Sequence, residues 1–357
     1  ECVSIMIKIF NGTSNTCGTF TSGGTESILL ACKTYRDMAL KEHNISRPEI
    51  IVSSSVHCAF NKACKYFNIK LRLVDCDKDG KIDLNEMEKN INKNTILVIG
   101  STPSYNLGII DQIHELSDLC LRKNVPLHLD ACIGSFLINF LDNSIGFNLR
   151  GVTSISADFH KYGNSPKGAS CIMYSHKDIM RHQYFIDEKW SGGIYATSSF
   201  TGSRCGNKVA LTWATLLYYG LDGYRDNYHK IIALKNYFVK ELKNIDEIFV
   251  IGKPQLSIIA IGSYKININV IAEQLKNKDW EINVIQNPNG FHFCLTSYHN
   301  TEIIDNFIED LKEVILENSN KPNPKYSPCI YGTMEKINDK EIINDIISDY
   351  LNCINGI

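Results

Sequence analysis

Short apolar runs alternate with amphipathic segments along the first half of the chain. Six runs predict strands, and between them lie segments whose apolar residues recur with the period of a helix. The strands are expected at residues 50–52, 71–74, 95–100, 127–129, 152–155 and 169–174, and the helices at residues 26–43, 59–67, 84–91 and 112–123. Alternation of strand and helix is typical of an α/β domain whose sheet is mostly parallel.

The pattern changes after about residue 207, where a long helical segment runs to residue 244 with a break expected between Gly220 and Gly223. We predict a large domain over residues 1–225 and a smaller α+β domain over residues 226–357. A surface loop with three prolines is expected at residues 321–328. The smaller domain should contain strands at 248–251, 256–261 and 291–296 and helices at 267–278, 301–318 and 339–351.

Composition and charge exclude several classes of protein. The chain has 357 residues, of which 44% are hydrophobic and 21% charged, as in ordinary globular proteins and unlike disordered ones. Its 37 Lys and Arg against 39 Asp and Glu give a net charge of −2, so we expect no nucleic-acid partner. No apolar run reaches the roughly 18 residues that a membrane helix needs.

Thirteen cysteines are spread through the sequence without any Cys-x-x-Cys pair. Most lie in apolar segments, as Cys32 and Cys171 do, which indicates reduced thiols packed as small hydrophobic residues rather than a disulfide framework or a metal site. The predicted compartment is therefore a reducing one. The chain begins at Glu1, already within a segment that resembles a helix to residue 10, so we expect the natural N-terminus to lie upstream.

Two glycine-containing turns precede predicted helices and suit phosphate binding. Gly23 and Gly24 of the segment TSGGTES precede the helix predicted from residue 26, and Gly202 and Ser203 precede the long helix. Glycine lets a ligand approach the backbone, and a helix N-terminus offers free N–H groups to an anion. From the residues alone, an ordinary helix-starting turn remains the alternative at both places.

Charged side chains follow two of the predicted strands. Asp130 of HLDAC lies at the C-terminal end of a strand, where open α/β sheets bind ligands, and a carboxylate there can pair with a protonated ring nitrogen. Lys161 of SADFHKYG follows another strand, where partial desolvation would disfavour its ammonium form and free an amine for Schiff-base chemistry. The alternatives are an aspartate that caps the backbone and a solvated lysine.

The segment from Asp75 to Glu86 matches a calcium-loop pattern, but we do not interpret it as a calcium site. Its D-x-D-x-D-G spacing satisfies that of an EF-hand loop. An EF-hand needs an incoming helix, however, and the residues before Asp75 alternate as a strand. We expect no metal there and predict an acidic connection in which Asp83 caps the next helix.

Five segments, in order and at consistent spacing, resemble the sphingosine-1-phosphate lyase family, which consists of pyridoxal-phosphate (PLP) enzymes of the group II decarboxylase superfamily. They are TSGGTESILLACKTYR, VHCAFNKACKY, HLDACIGSFLINF, GVTSISADFHKYGNSPKG and WSGGIYATSSFTGSR. The similarity runs over nearly the whole chain and includes residues 280–296 and 331–333. It implies the aminotransferase-like fold type I of PLP-dependent enzymes, which has a large domain with a mostly parallel mixed sheet and a smaller C-terminal α+β domain.

The resemblance also implies roles for particular residues. Lys161 would bind PLP covalently, Asp130 would keep the pyridine nitrogen protonated, and His57 would stack on the ring. Lys167 would meet the phosphate of a lipid substrate. The implied reaction is retro-aldol cleavage of the C2–C3 bond of phosphorylated sphingoid bases, which yields phosphoethanolamine and a long-chain aldehyde.

The resemblance implies that two subunits share the binding of each cofactor phosphate. Gly24, Thr25 and His160 would hold the cofactor phosphate of their own chain. Gly202 and Ser203 would reach the cofactor phosphate of a partner, so a homodimer with shared active sites is implied.

Departures from the family pattern and alternatives accompany this interpretation. Ser135 stands where relatives usually carry a second glycine, Thr102 where they carry alanine, and Asn106 and Leu107 where they carry Pro-His. The alternatives are an amino-acid decarboxylase of the same superfamily and a catalytically incomplete chain that retains the fold. An intracellular location is implied: the cytosolic face of the endoplasmic reticulum for a eukaryotic full-length chain, with membrane association only through an upstream segment, and otherwise the cytoplasm.

Overall fold

The structure, a computed structural model, describes residues 1–319 and 340–355. One compact unit comprises residues 1–233 and 252–257, and a second comprises residues 234–251 and those from 258 onward. The predicted proline-containing loop at 321–328 and the family-like segment at 331–333 lie outside the described residues. The domain boundary expected at residue 225 stays a prediction.

Seven strands form the central sheet of the first unit. They are β1 (Cys17–Thr21), β2 (Glu49–Ser53), β3 (Lys70–Val74), β4 (Thr95–Ser101), β5 (Leu127–Ala131), β6 (Val152–Asp158) and β7 (Ser170–Tyr174). Their order across the sheet is β1-β7-β6-β5-β4-β2-β3. The neighbours from β6 to β3 pair in parallel, whereas β7 runs antiparallel to both β6 and β1. Since β1 thus points the same way as the parallel strands, the C-terminal ends of β1, β4, β5 and β6 meet at one edge.

Burial on both faces explains why the central strands are continuous apolar runs in the sequence. Every residue of β2, β4, β5 and β7 is buried, as expected where helices cover both sides of a parallel sheet. The helices of this unit are α1 (Cys2–Ile9), α2 (Gly24–His43), α3 (Ala59–Phe67), α4 (Leu84–Asn90), α5 (Ile113–Lys123), α6 (Ile138–Leu141) and α7 (Lys177–Met180), which the 3₁₀ turn Arg181–Gln183 follows. A short hairpin joins β8 (Phe185–Asp187) to β9 (Tyr195–Thr197).

A long helix, α8 (Gly206–Leu242), contains the predicted break. Gly220 has φ 58° and ψ −175°, which interrupts the helical backbone at that residue. Glycine populates positive φ without the steric cost that a Cβ brings, so this residue type permits the break. The sequence prediction of an interrupted helix is confirmed.

A four-stranded antiparallel sheet forms the second unit. Its order is β10 (Ile248–Val250), β11 (Ile258–Ser263), β13 (Gly290–Cys294) and β12 (Asn283–Ile285). The helices are α9 (Ile268–Asn277), α10 (Thr301–Asn318) and α11 (Lys340–Ile354). Aromatic rings fill the core: Phe238 contacts Phe293 and Phe307 with centroids 5.4 and 5.6 Å apart. In the described residues, none of the helices is long and apolar enough to cross a membrane.

The acidic segment that resembles a calcium loop is a hydrogen-bonded connection from β3 to α4. Asp83 accepts hydrogen bonds from the backbone N–H groups of Asn85 and Glu86 at 2.9 and 3.1 Å, so the predicted cap is confirmed. Asp77 Oδ1 accepts from two backbone N–H groups within its own turn, both at 2.9 Å. Within residues 1–319 and 340–355, no His, Cys, Asp and Glu side chains are grouped to hold a metal ion.

Candidate active site

A cavity of about 360 Å³ opens at the sheet edge where β1, β4, β5 and β6 end. Its volume is within the range of small-molecule sites, roughly 300–1,000 Å³. Side chains and backbone from separate strands line it, and six of the predicted site residues are among them: Gly24, Thr25, His57, Asp130, His160 and Lys161. Folding therefore brings together residues that lie up to 137 positions apart in the chain.

The first glycine turn places the N-terminus of α2 on this cavity. The first hydrogen bond of the helix runs from the N–H of Ser27 to the carbonyl of Gly23 at 3.1 Å, so the N–H groups of Gly24, Thr25 and Glu26 precede the helical ladder. Among the residues that the structure describes, no side chain caps this end of the helix. Unpaired N–H groups and the positive end of the helix dipole favour an anion at this position.

Gly24 lies closer to the sheet than any other residue type would permit. A Cβ at this position would come within 2.8 Å of Cys132 Sγ and 3.0 Å of Asp158 Oδ1. Contacts under about 3 Å between such heavy atoms require the neighbours to move, and these neighbours are buried. The glycine is therefore what allows the helix to begin directly above the ends of β5 and β6.

Asp130 is held near the end of β5 by bonds to one of its two oxygens. Oδ1 accepts from the N–H of Cys132 at 3.1 Å and from the hydroxyl of Ser156 at 3.3 Å. His128 lies behind Ser156, with Nε2 3.1 Å from its hydroxyl. Burial lowers the pKa of His128 to about 4, so this ring stays neutral and supports Ser156 without adding a charge. The Asp130 carboxylate thus has a fixed orientation at the cavity wall.

Lys161 forms an ion pair with a carboxylate that the sequence did not single out. Its Nζ lies 2.9 Å from Oδ2 of Asp158, and Nε2 of His160 lies 3.6 Å from the same oxygen. The Asp158 side chain is 1% exposed. Its other oxygen, Oδ1, accepts a hydrogen bond from the Ser170 hydroxyl at 2.5 Å.

Further hydroxyl groups lie behind Ser170, beneath the first turn of α2. Ser27 Oγ lies 3.1 Å from Ser170 Oγ, and Thr21 Oγ1 lies 2.7 Å from Ser27 Oγ. All three residues are buried. The contacts connect the end of β1, the start of α2 and the start of β7 to the carboxylate at the end of β6.

The pKa of Lys161 shifts in the direction opposite to the sequence prediction. Burial alone would lower the pKa, but the negative charges of Cys132 as a thiolate, Asp158 and Asp130 together raise it above its ordinary value. Burial also raises the pKa of the Cys132 thiol well above its usual range, so near neutral pH the carboxylates hold the ammonium. In this cavity the pKa of Lys161 is therefore raised and not lowered as the sequence predicted, and the nearest carboxylate, that of Asp158, lies 2.9 Å from its Nζ.

The ring of His57 is fixed by the start of α3. Its Nδ1 accepts a hydrogen bond from the N–H of Ala59 at 3.1 Å, so the neutral ring carries its hydrogen on Nε2. The Tyr105 ring meets it edge-on at 6.3 Å between centroids. Half-buried and oriented in this way, His57 is placed as a flat wall of the cavity.

The pyridoxal-dependent decarboxylase conserved domain matches residues 2–262 of the sequence. The chain belongs to the pyridoxal-dependent decarboxylase family. Its relatives include mouse sphingosine-1-phosphate lyase 1, which is 40% identical over 99% of this chain and 64% of its own length. The sphingosine-1-phosphate lyase of Dictyostelium discoideum is 37% identical over 98% of this chain and 67% of its own.

A solved structure from this family has the same fold. The sphingosine-1-phosphate lyase of Burkholderia pseudomallei matches with a TM-score of 0.87 and 29% identity, covering 98% of this chain and 80% of that one. The predicted family, fold and cofactor class are therefore confirmed. The chain spans 64% of the length of the mouse relative.

The residues present fit the cofactor that this family uses. PLP carries a phosphate, a pyridine nitrogen and an aldehyde. The cavity offers an uncapped helix N-terminus, a carboxylate at a strand end and a lysine amine. The close packing of Gly24 against Cys132 and Asp158 places the N-terminus of α2, with its N–H groups, on the cavity.

Three predicted site residues lie outside the cavity of their own chain. Gly202, Ser203 and Lys167 are exposed, and none of them lines it. Lys167 Nζ donates a hydrogen bond to the carbonyl of His160 at 3.4 Å. Arg204 donates to the carbonyl of Phe20 in β1 and, at 2.8 Å, to Ser199. The roles of the three residues stay predictions.

Sequence reasoning missed part of the cavity wall. Besides Asp158, it did not single out Cys132 or three residues at the end of β4: Ser101, Ser104 and Tyr105. Ser104 is 2% exposed, and in the described part of the chain its hydroxyl has no hydrogen-bond partner. The signal for these residues in the sequence was their position within a few residues after a predicted strand.

Proposed function

We propose that this chain forms the PLP-binding part of a lyase that cleaves the C2–C3 bond of phosphorylated sphingoid bases to phosphoethanolamine and a long-chain aldehyde. The observation that carries the proposal is the 40% identity to mouse sphingosine-1-phosphate lyase 1 over 99% of the chain. The convergence of Lys161, Asp130 and His57 in one cavity supports it.

Three residues of the cavity have distinct tasks in this proposal. Bound PLP would supply an electron sink for the electron pair that remains on C2 when the bond breaks. Asp130 holds a proton on the ring nitrogen, which keeps that sink strong. Lys161 binds the cofactor covalently through Nζ and is the nearest amine for moving protons at C2. His57 packs its ring against the cofactor and excludes water from that side.

The phosphate of the cofactor is bound mainly by backbone. The N–H groups of Gly24 and Thr25 point from the uncapped end of α2, and His160 lies beside them: a Cβ on Gly23 would be 3.8 Å from the Cε1 of His160. An imidazolium and a helix N-terminus both attract a phosphate dianion. Binding by backbone explains why this end of the helix carries no side-chain cap.

A homodimer would complete the site. Gly202 and Ser203 are exposed and do not line the cavity of their own chain, and apolar side chains close to them in sequence are also exposed: Trp190 by 55%, Ile194 by 78% and Phe200 by 48%. Large exposed apolar side chains close together mark interaction surfaces. A second copy would cover this segment and bring Gly202 and Ser203 to the partner's cofactor phosphate.

Mixing two inactive variants tests the shared site. Lys161→Ala removes the covalent attachment, and Ser203→Trp would block the partner's phosphate site. If sites are shared, mixed dimers regain activity at one of their two sites, up to about a quarter of the wild-type rate in an equal mixture. No recovery after subunit exchange, or a monomer in sedimentation experiments, would contradict the shared site.

We place the protein inside the cell, consistent with cysteines that are free thiols throughout the described residues.

Product analysis tests the reaction. The PLP-loaded protein, incubated with dihydrosphingosine 1-phosphate, should release phosphoethanolamine and a long-chain aldehyde in equal amounts, measured by mass spectrometry. Lys161→Met should release neither. Borohydride reduction and peptide mapping should place the pyridoxyl group on Lys161. Release of CO₂ from an amino acid, without any aldehyde, would instead support the decarboxylase alternative.

A further inference from the structure

Glu26, in the first turn of α2, joins two parts of the first unit through its carboxylate. Oε2 accepts a hydrogen bond from the N–H of Ser22 at 2.6 Å, and Oε1 accepts one from the N–H of Phe200 at 3.3 Å. Ser22 belongs to the glycine turn on the cavity, and Phe200 lies two residues before Gly202. We propose that Glu26 is a positioning residue that holds residues 199–204 of its own chain in place for the cofactor phosphate of the partner subunit. The inference rests on the proposed shared site.

The charge of Glu26 disfavours a direct role in binding the cofactor of its own chain. The residue is half-buried and lines the cavity, in the same helical turn as Gly24 and Thr25, whose N–H groups are proposed to bind a phosphate. A carboxylate repels a phosphate dianion, so the Glu26 charge weakens phosphate binding at this place. Its two oxygens accept hydrogen bonds from backbone N–H groups instead. The contact with Phe200 is therefore the function that the carboxylate serves here.

Two anchors hold the ends of the exposed residues 201–203. At one end, Phe200 donates its N–H to Glu26, and its ring stacks on that of Phe67 with centroids 6.0 Å apart. At the other end, Arg204 donates to a backbone carbonyl of β1. An exposed segment that contains a glycine has many conformations available, and each anchor reduces their number. Loss of the carboxylate would remove the polar part of the first anchor.

In the proposed dimer, the effect of Glu26 appears at the cofactor site of the other subunit. Each site combines the Lys161 of one chain with the Gly202 and Ser203 of the other. A Glu26 variant in the chain that supplies Gly202 and Ser203 loosens their contact with the phosphate. The same variant in the chain that supplies Lys161 removes a negative charge near the phosphate and leaves the partner's segment anchored. The two placements of one substitution should therefore have unequal effects.

Heterodimers with two different affinity tags allow each placement to be measured. One chain carries Lys161→Met, so only the other chain can bind PLP covalently, and borohydride reduction followed by pyridoxyl fluorescence gives the occupancy of that one site. Glu26→Ala on the Lys161→Met chain should raise the Kd for PLP about 10-fold, which corresponds to one lost hydrogen bond to a charged group. Glu26→Ala on the other chain should change it by less than about 3-fold, because the lost charge favours the phosphate. Glu115→Ala, at an exposed carboxylate in the first turn of α5, is the matched control and should change neither value.

Ser203→Trp on the Lys161→Met chain distinguishes failure of this inference from failure of the shared site. If Ser203→Trp raises the Kd and Glu26→Ala at the same place does not, the inference is wrong and the shared site stands. If neither raises it, or if no heterodimer forms, both are wrong. Equal rises for the two placements of Glu26→Ala would make Glu26 a residue of its own site and would also overturn the inference.

Hydrogen exchange of the PLP-free protein supplies a measurement that needs no cofactor and no heterodimer. Glu26→Ala should speed exchange of the Phe200 amide and of the amides to residue 204 several-fold, while the amides of α5 keep their rates. Circular dichroism checks the fold, and Glu26→Gln, which removes the charge and one acceptor, replaces Glu26→Ala if that variant does not fold. Unchanged exchange at residues 199–204 would show that Glu26 does not hold this segment, and the inference would be wrong.

Discussion

The predicted site residues divide into an inner and an outer group, and the two differ in what surrounds them. The inner group lines the cavity: Gly24, Thr25, His57, Asp130, His160 and Lys161. The outer group, Gly202, Ser203 and Lys167, is exposed and lies outside it. Both groups include a glycine turn that precedes a helix, so the local sequence signal is similar.

The surroundings of the two turns differ, which indicates that a glycine turn forms a binding site only where other groups enclose it. A Cβ on Gly24 would collide with Cys132 and Asp158, whereas a Cβ on Gly202 would make only an ordinary contact with the Tyr195 hydroxyl at 3.4 Å. The first turn is enclosed by its own chain. The second needs another molecule to face it, and that is the role which the dimer proposal gives to a second copy.

Loss of the inner carboxylate should have the largest effect on catalysis. Asp130→Asn removes the charge that keeps the pyridine nitrogen protonated, and one group that stabilises developing charge is commonly worth about 3 kcal/mol, or 10²–10³-fold in rate. We expect kcat to fall by that factor while absorbance shows bound PLP. Asp118→Asn, an exposed carboxylate on α5, is the control. A rate within a few-fold of wild type would make Asp130 purely structural.

Loss of the cation in the outer group, Lys167, should weaken the use of the substrate and leave the cofactor bound. A charge-assisted hydrogen bond contributes roughly 1.5–3 kcal/mol, so Lys167→Ala should lower kcat/KM for the phosphorylated sphingoid base by about 10–100-fold. PLP affinity should be unchanged. Lys177→Ala, also exposed, controls for the loss of a surface charge. If Lys167→Ala loses the cofactor, the residue belongs to the inner group and the division is wrong.

Steric change at Gly24 and at Gly206, which begins α8 beyond the second turn, should separate an enclosed glycine from an open one. Gly24→Val forces Cys132 and Asp158 apart, and overpacking of this kind costs about 1–3 kcal/mol, so the Kd for PLP should rise about 10-fold or more. Gly206→Val should leave PLP binding unchanged. Fluorescence titration with PLP measures both, and thermal unfolding shows whether each variant is folded. Equal losses in both variants would remove the distinction.

The smallest effect is expected at the acidic turn between β3 and α4. Its carboxylates already accept backbone hydrogen bonds, as Asp77 and Asp83 do, and a strand precedes it. Calorimetric titration with calcium should therefore show no site tighter than about 10⁻⁴ M. A tighter site at this turn would show that the EF-hand spacing is functional here.

The sequence predicted the elements whose pattern is strong. The bounds of α3 and α10 agree with the prediction, and β2, β4 and β7 agree to within two residues, because long amphipathic helices and fully buried strands have clear periodicity or apolar runs. Short edge elements were missed: β1, β8, β9 and β12. The residues of β1 alternate weakly, and the strand is specified by antiparallel pairing with β7, a contact between residues about 150 positions apart.

From the sequence, we could predict those site residues whose type, at the end of a predicted strand, indicates their chemistry. Asp130 and Lys161 satisfy that condition. Asp158 does too, yet only the fold shows that its carboxylate, and not water, faces the ammonium of Lys161. The direction of the Lys161 pKa shift was wrong for this reason: the sequence indicated burial but not the partner inside.

The buried hydroxyls of Thr21, Ser27 and Ser170 have a consequence for the placement of hydrogens. Neither the Asp158 carboxylate at 2.5 Å nor the Ala157 carbonyl at 2.9 Å can donate, so Ser170 gives its single hydrogen to these acceptors and can only accept from Ser27, which in turn accepts from Thr21. The three O–H bonds therefore form a polarised line with one sense, and each strengthens the next. The line ends on Oδ1 of Asp158, whereas Lys161 contacts Oδ2. A single reversed hydroxyl would place two hydrogens, or two lone pairs, against each other at buried positions where water cannot compensate for the lost hydrogen bond.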